Sequence, residues 1–439
     1  MLSTRYLYVL FLIPICANAQ SNSDTTKTQN WTLHFQQTVV GQYHPNFASP
    51  YSGLNSQNAV NEPADVTVTS TIFLGRRLWQ GGEVYFNPEL SGGQGLGHTL
   101  GIAGFPNGES YRVGTTLPVI AMVRLFLRQT INLNPKTSNK IEDGINQLSG
   151  NVPDKRLVFT LGKFSVTDIF DANSYSHDPR SQFLNWSLMS AGAWDYPADT
   201  KGYTWGAVGE WFEPGWSFKA GITMVPSYAN GPQFDDNVTK ANSVSAEYDK
   251  EIHINKRHGV VRLIGFYTNA HMGNYAEATN DTIYHHNIIL TRAYGRTKEG
   301  FVINAEQEIS DNLGVFGRIS YNDGKNESWA FTEIDQSVAA GISLKGTKWK
   351  RPDDVFGAAF VVNGLSKDHE AYLAAGGYGF LIGDGALNYG YESILETYYN
   401  FKWNSYLYLS PDYQFILNPG YNKDRGPIHV FGLRAHVEF

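Results

Sequence analysis

The chain is poor in the devices that staple small secreted folds and in those that carry helices through membranes. It holds a single cysteine, Cys16, so no intramolecular disulfide can form. Beyond the N-terminal leader no apolar stretch reaches about 18 residues, the minimum for a spanning helix. Any crossing of a bilayer must therefore use strands closed into a barrel, the other structure that satisfies every backbone N–H and C=O in lipid. Charge is scarce as well. Asp, Glu, Lys and Arg make up 17% of residues, and 34 basic against 41 acidic residues give a formal net charge of −7 without a basic run. That balance argues against a phosphate backbone as partner, so nucleic acid is not an expected ligand.

Catalytic and metal-binding patterns are missing too. His369-Glu370 opens a zinc-protease pattern, but Leu373 stands where the second histidine belongs. Asn322-Asp323-Gly324 is a turn signal without the oxygen-ligand spacing of a calcium loop. The glycine cluster Gly92-Gly93-Gln94-Gly95-Leu96-Gly97 fits no nucleotide fingerprint, and there is no Gly-x-Ser-x-Gly elbow. No catalytic residue, metal or cofactor is expected.

What is present points outward from the cell. Arg5, an apolar run from Tyr6 to Ile15 and then Ala17-Asn18-Ala19 form a charged start, a hydrophobic middle and a small-x-small site, the layout of a secretory signal peptide over residues 1–19. Ile15 is too large for the position before a lipidated cysteine, so Cys16 is not expected to be an anchor. Residues 20–30, largely Ser, Asp, Thr, Lys, Gln and Asn, read as a flexible lead-in. A single barrel domain is expected over 31–439. Aromatics reach 14% of the chain and 44 glycines are spread along it, suiting the interfacial girdles and tight turns of an outer-membrane barrel.

Alternation carries the fold assignment. In the last segment Phe431, Leu433, Ala435, Val437 and Phe439 share one face, and Gly432, Arg434, His436 and Glu438 share the other. A period of two is a strand with one apolar and one polar side, and the terminal Phe439 resembles an outer-membrane assembly signal. The same period marks Val66–Leu74, Val119–Arg128, Phe301–Glu308 and Val338–Leu344. At roughly 25 residues per hairpin with its loops, the mature length predicts an antiparallel transmembrane barrel of about 16 strands, wide enough for an aqueous channel. The polar, non-alternating segment Asn132–Lys155 is expected to be a long extracellular loop.

Longer stretches add a family resemblance. SPYSGLNS (49–56), GRRLWQGGEVYFNPEL (75–90), AGFPNGE (103–109), RLFLRQT (124–130), LGKFSVTDIFDANSYSHDPRSQFLNW (161–186) and DYPADTKGYTWG (195–206) are joined by NDGKNESWAFTEIDQS (322–337), NGLSKDHEAYLAAGGYGFLIGDG (363–385) and DYQFILNPGYNKDRGP (412–427). In this order they resemble the carbohydrate-selective, OprB-type porins. The resemblance implies a monomeric sixteen-stranded barrel in a Gram-negative outer membrane, narrowed by loops folded into its lumen, through which sugars diffuse. Its expected partners are small sugars, outer-membrane lipid and lipopolysaccharide, and the barrel-assembly machinery. A plugged receptor or structural barrel, a barrel hydrolase and a soluble secreted β-enzyme stand as alternatives.

Selectivity for sugars needs groups that exchange hydrogen bonds with hydroxyls and aromatic faces that stack on a pyranose. If the aliphatic faces meet lipid, parity turns Arg77, Arg124, Arg128, Arg262, Arg318, Arg434, Glu83, Glu306, Glu308 and Tyr85 inward, because a charge at the bilayer midplane costs ~2–4 kcal/mol. Arg77, Arg124 and Arg128 rank first for sugar contact because they also lie in family-like stretches. Trp79, Trp194, Tyr196 and Tyr203 are candidates for stacking, with interfacial girdle or loop packing as the plainer role.

Overall fold

The computed structural model describes residues 29–439 except 62, 112–116, 135, 281–282 and 284–285. The expected leader (1–19) and most of the lead-in (20–30) lie outside the described residues. Strands in chain order are β1 Trp31–Tyr43, β2 Asp65–Trp79, β3 Gly82–Gly93, β4 Val119–Asn132, β5 Ser138–Ile141, β6 Gly150–Pro153, β7 Arg156–Phe164, β8 Thr204–Glu213 and β9 Trp216–Thr223. They continue with β10 Asn242–Ile254, β11 Arg257–Ala270, β12 Arg296–Ser310, β13 Leu313–Asn322, β14 Gln336–Gly346, β15 Arg351–Gly364, β16 Glu392–Lys402, β17 Leu407–Leu417 and β18 Ile428–Glu438. All but β5 and β6 form one closed antiparallel barrel in which each strand pairs with its sequence neighbours. β1 pairs with β18, from Gln36 opposite Glu438 to Tyr43 opposite Phe431. Sixteen barrel strands match the number expected from length.

The alternation explains the closure. In β2 Thr67, Thr69 and Thr71 are buried in the lumen while Ile72 on the other face is exposed. In β12 Asn304 and Glu306 point inward while Phe301 and Ile303 are exposed, and in β18 Phe431 and Leu433 are exposed opposite the buried Arg434. A closed ladder with an apolar outer face leaves no unpaired backbone edge for lipid to meet. Turn chemistry sets one end. Pro214-Gly215 joins β8 to β9 with Gly215 at φ 81°, the residue pair of a tight turn that requires positive φ. Gly81, at φ 74°, joins β2 to β3 where a Cβ would collide with the Thr130 carbonyl oxygen.

Connections sort by end. Two-residue turns at 80–81, 214–215, 255–256 and 311–312 lie at the end that also holds Trp31 and Phe439. The long loops 44–64, 94–118, 165–203, 224–241, 271–295, 323–335, 365–391 and 418–427 all lie at the other, the extracellular end by the usual arrangement of such barrels. The segment after β4 departs from the expectation of an extracellular loop. β4 runs back toward the short-turn end, where Gln129 pairs with Gly82, and β7 leaves from there. Residues 133–155 therefore sit on the short-turn, periplasmic side, because an even number of strands precedes them.

The long loops turn inward and build an apolar core inside the barrel. Phe105 packs on Trp186 (5.5 Å between ring centroids), Trp186 stacks on Phe331 (5.5 Å), and Phe331 meets Tyr196 (4.2 Å). These irregular segments bring backbone groups into a low-dielectric interior, where each needs a partner. Wall side chains supply them. Glu396 on β16 accepts the N–H groups of Leu184 (2.6 Å) and Asn185 (3.0 Å). Glu247 on β10 accepts that of Asp171 (2.6 Å), and Glu392 those of Ala103 and Gly104 (3.0 and 2.7 Å).

Candidate functional site

With loop 165–203 laid across the lumen, open space remains against the β1–β4 wall. A cavity of about 310 Å³ lies there, at the lower end of the volumes that hold small molecules, about 300–1,000 Å³. Glu89, Arg124, Asp168, Arg180, Lys201 and Tyr203 are among the groups lining it. Aromatic faces come from Tyr111, Trp186, Tyr196, Tyr203 and Phe331.

Arg180 organises this wall. Its Nη2 donates to Glu89 (3.0 Å), its Nε to Glu109 (3.2 Å), and its Nη1 to Gln36 (3.0 Å) and Thr71 (3.1 Å). One planar fork thus ties the loop to β1, β2, β3 and the 94–118 loop. Burial disfavours its charge, but Glu109 and Glu89 outweigh that and raise its pKa. Arg124 makes a two-point contact with Asp168, Nε at 2.7 Å and Nη2 at 2.6 Å, and lies 5.0 Å over the Tyr203 ring. Burial alone would raise the Asp168 carboxyl, yet the Arg124 guanidinium holds it below the usual carboxylate range. Lys163 pairs with Asp199 at 3.0 Å. Lys201 donates to Ser91 Oγ (3.1 Å) and lies 5.5 Å from the Tyr111 ring centre; burial lowers its pKa against the pull of Glu89 and Asp199. Asp178 accepts the Arg180 N–H (2.9 Å) and the Ser181 hydroxyl (2.8 Å). The result is a dense hydrogen-bonding surface whose charges are mostly matched in pairs.

The residues singled out from the sequence fall into three groups. Arg124, Tyr196 and Tyr203 line the cavity together. Arg77, Glu83, Tyr85 and Arg128 face the lumen nearer the short-turn end. Arg77 pairs with Glu83 (3.2 Å), Tyr85 donates to Glu83 (2.7 Å), and Arg128 lies 5.2 Å over the Tyr85 ring and donates to Asn146 O (3.0 Å). Glu306, Arg318 and Arg434 are lumenal but buried beneath loop 165–203, and Arg262 is buried in the lumen between Glu306 and Asp249. Arg318 donates to Ser176 O (2.6 Å) and Leu188 O (2.7 Å), and Arg434 to Pro179 O (2.7 Å) and Gln182 O (2.6 Å). Glu306 accepts the Ser174 N–H (2.6 Å) and lies 3.4 Å from Arg262, while Glu308 lies near the short-turn rim, 3.1 Å from Arg257.

Two aromatics lie away from the open space. Trp194 is fully buried, edge-on to Phe170, and has no free face for a sugar. A register shift between Arg77 and Trp79 leaves Trp79 half exposed at the rim, donating to Gln129 Oε1 (2.6 Å). Phe439 closes the seam. Its N–H donates to Phe35 O (3.1 Å), its carbonyl accepts the Phe35 N–H (2.8 Å), and the rings stack at 5.3 Å. Sequence reasoning misses Glu89, Glu109, Arg180 and Lys201. Strand parity continued past Tyr85 reaches Glu89, whereas the other three sit on loops, where no period applies.

A closed barrel with an apolar belt, short turns at one end and inward-folded long loops at the other defines an outer-membrane protein of the porin class. Residues 74–439 match the carbohydrate-selective porin, OprB family. The chain belongs to that family. Porin AaxA of Chlamydia abortus is 21% identical over 284 residues, 65% of this chain and 54% of that protein. Porin AaxA of Chlamydia trachomatis serovar D is 23% identical over 318 residues, 71% and 58% respectively, so this chain spans little more than half the length of these relatives. Pseudomonas putida OprB shares the fold with a TM-score of 0.69 at 17% identity, covering 93% of this chain and 94% of that one. The outer membrane channel DcaP of Acinetobacter baumannii gives a TM-score of 0.51 at 10% identity, covering 93% of this chain and 97% of that one.

Proposed function

We propose that this barrel is a passive channel through which small sugars, monosaccharides such as glucose among them, diffuse across the outer membrane. It works as a single barrel and not as an enzyme. Its outer belt contacts lipid and lipopolysaccharide, and Phe439 serves the assembly machinery during insertion. One observation carries the reading: the cavity combines a wall of paired charges with a lining that includes the half-buried Tyr111 and the largely buried rings of Tyr196 and Tyr203. Paired charges offer many donors and acceptors without the strong net field that would favour ions, and hydroxyl-rich, uncharged solutes gain most from such a wall. Aromatic faces complement the apolar side of a pyranose ring. Membership in a family of carbohydrate-selective porins supports the same reading.

In planar bilayers the protein is expected to give stable channels whose ion conductance falls in a saturable way as glucose is added. An equal molarity of glycine should leave the conductance nearly unchanged. Equal, non-saturating effects of both solutes would overturn the sugar preference.

A further inference from the structure

The residues ranked first for sugar contact include a group at the short-turn end that is occupied by the protein itself. β5 and β6 pair from Ser138 opposite Pro153 to Ile141 opposite Gly150, forming a hairpin outside the barrel ladder. Its tip, residues 142–149, turns back into the lumen. The Gly144 and Gln147 backbones bond each other both ways at 3.0 Å, making the tip compact. Asp143 accepts the Thr32 hydroxyl (2.6 Å) and the Gln29 amide (3.1 Å). Arg128 holds the Asn146 carbonyl (3.0 Å), Asn87 holds its side chain (3.0 Å), and Leu148 is fully buried.

Depth follows from the strand partner. Asn87 lies five residues into β3 from Gly82, roughly 16 Å along the strand at ~3.3 Å per residue. The tip thus reaches well inside the barrel from the side opposite the long loops. Ile145 at that tip is 44% exposed and lines the same cavity as Arg124, Arg180 and Tyr203. The stem lines a different space. Asn139 and Asp154 border a second cavity of about 540 Å³ at the short-turn mouth, beside Pro214, Asp249 and Arg262.

We propose that the 138–153 hairpin is a second constriction element, inserted from the periplasmic face, with Ile145 narrowing the cavity against the β1–β4 wall. This rests on the reading of the protein as an open channel. The size limit of the pore is then set from both sides, by loop 165–203 above and by the hairpin tip below. Arg77, Glu83 and Arg128 act as positioning residues for that tip, and their replacement changes the pore through Ile145 rather than through direct contact with solute.

The scarcity of cysteine makes this testable. In a Cys16→Ser background, Ile145→Cys channels are recorded in planar bilayers before and after a sulfonate-bearing methanethiosulfonate reagent is added on the short-turn side. The introduced thiolate attacks the reagent's sulfenyl sulfur, forming a mixed disulfide and releasing methanesulfinate. A stepwise fall in single-channel conductance of about twofold is expected from bulk placed at a constriction. Asn151→Cys, exposed on the stem, should react without that fall. Full labelling of Ile145→Cys by mass with unchanged conductance, or absence of labelling, overturns the proposal while leaving the channel intact. Absence of conductance in the unlabelled protein overturns the channel reading itself.

Discussion

Arg180 commits its whole guanidinium to three wall groups and Glu109 of the 94–118 loop, so its role is to clamp loop 165–203 against β1–β3 rather than to meet solute. Its replacement by alanine leaves Glu89 and Glu109 as unpaired, nearly buried carboxylates, a loss that typically costs about 3–5 kcal/mol. Arg180→Ala is expected to lower the temperature at which the folded barrel loses its compact mobility in detergent gels and to raise pore conductance, with Arg180→Lys intermediate. Glu333 in the 323–335 loop accepts the Leu381 and Ile382 N–H groups (2.7 and 2.8 Å) and lies 3.9 Å from His369, which in turn bonds Asp335 at 2.9 Å. Burial pushes the Glu333 carboxyl up to about 7 from 4.5, against the pull of His369. A folded-state pKa above the unfolded one stabilises the loop core fully below pH 4.5 and loses that contribution as pH rises through about 7, at most about 3 kcal/mol. Asp335 is shifted the other way, burial being outweighed by His369, so it acts only under acid conditions. Hydrogen exchange in 323–335 and 365–391, corrected for intrinsic rates, should quicken from pH 5 to 8 in the native protein and stay flat in Glu333→Gln. Equal pH dependence in both proteins would contradict this.

Strands and loops differ in how far the sequence reveals them. β2, β12, β14 and β18 are legible because a period of two, with aliphatics on one face, reads as a strand in a chain without a spanning helix. In β4 the period holds from Arg124 onward, but a bulge at Val123 reverses the faces before it, burying Val123 and exposing Ile120. Inward orientation of Arg124 follows from the same parity. What parity does not give is occupancy. Arg318 and Arg434 face the lumen, yet loop backbone consumes their donors, and no pattern in β13 or β18 records that. Trp194 and Arg180 sit on one irregular loop, one facing its core and the other the wall, with nothing periodic to separate them. Polarity and length alone put residues 133–155 on the wrong face, although counting the four strands before them gives the right one. At the seam, two backbone bonds and a ring stack join Phe439 to Phe35. Deleting Phe439 should slow barrel formation and lower its yield severalfold, measured by gel mobility, while channels that do form keep native conductance. Unchanged folding kinetics would remove Phe439 from assembly.

At the scale of the whole molecule, a sixteen-stranded wall wide enough for an open channel is filled by its own loops until a cavity of about 310 Å³ along β1–β4 remains. Charged wall residues satisfy the backbone of the incoming loops, loop charges line the cavity in pairs, and Ile145 of the hairpin from the opposite face borders it. On the proposed reading, such a lining discriminates by hydrogen bonding and ring contact as well as by width. The most direct test is liposome swelling with purified protein, comparing glucose with amino acids of similar size. Faster entry of glucose is the expected result. Entry ranked by size alone would contradict a carbohydrate-preferring channel.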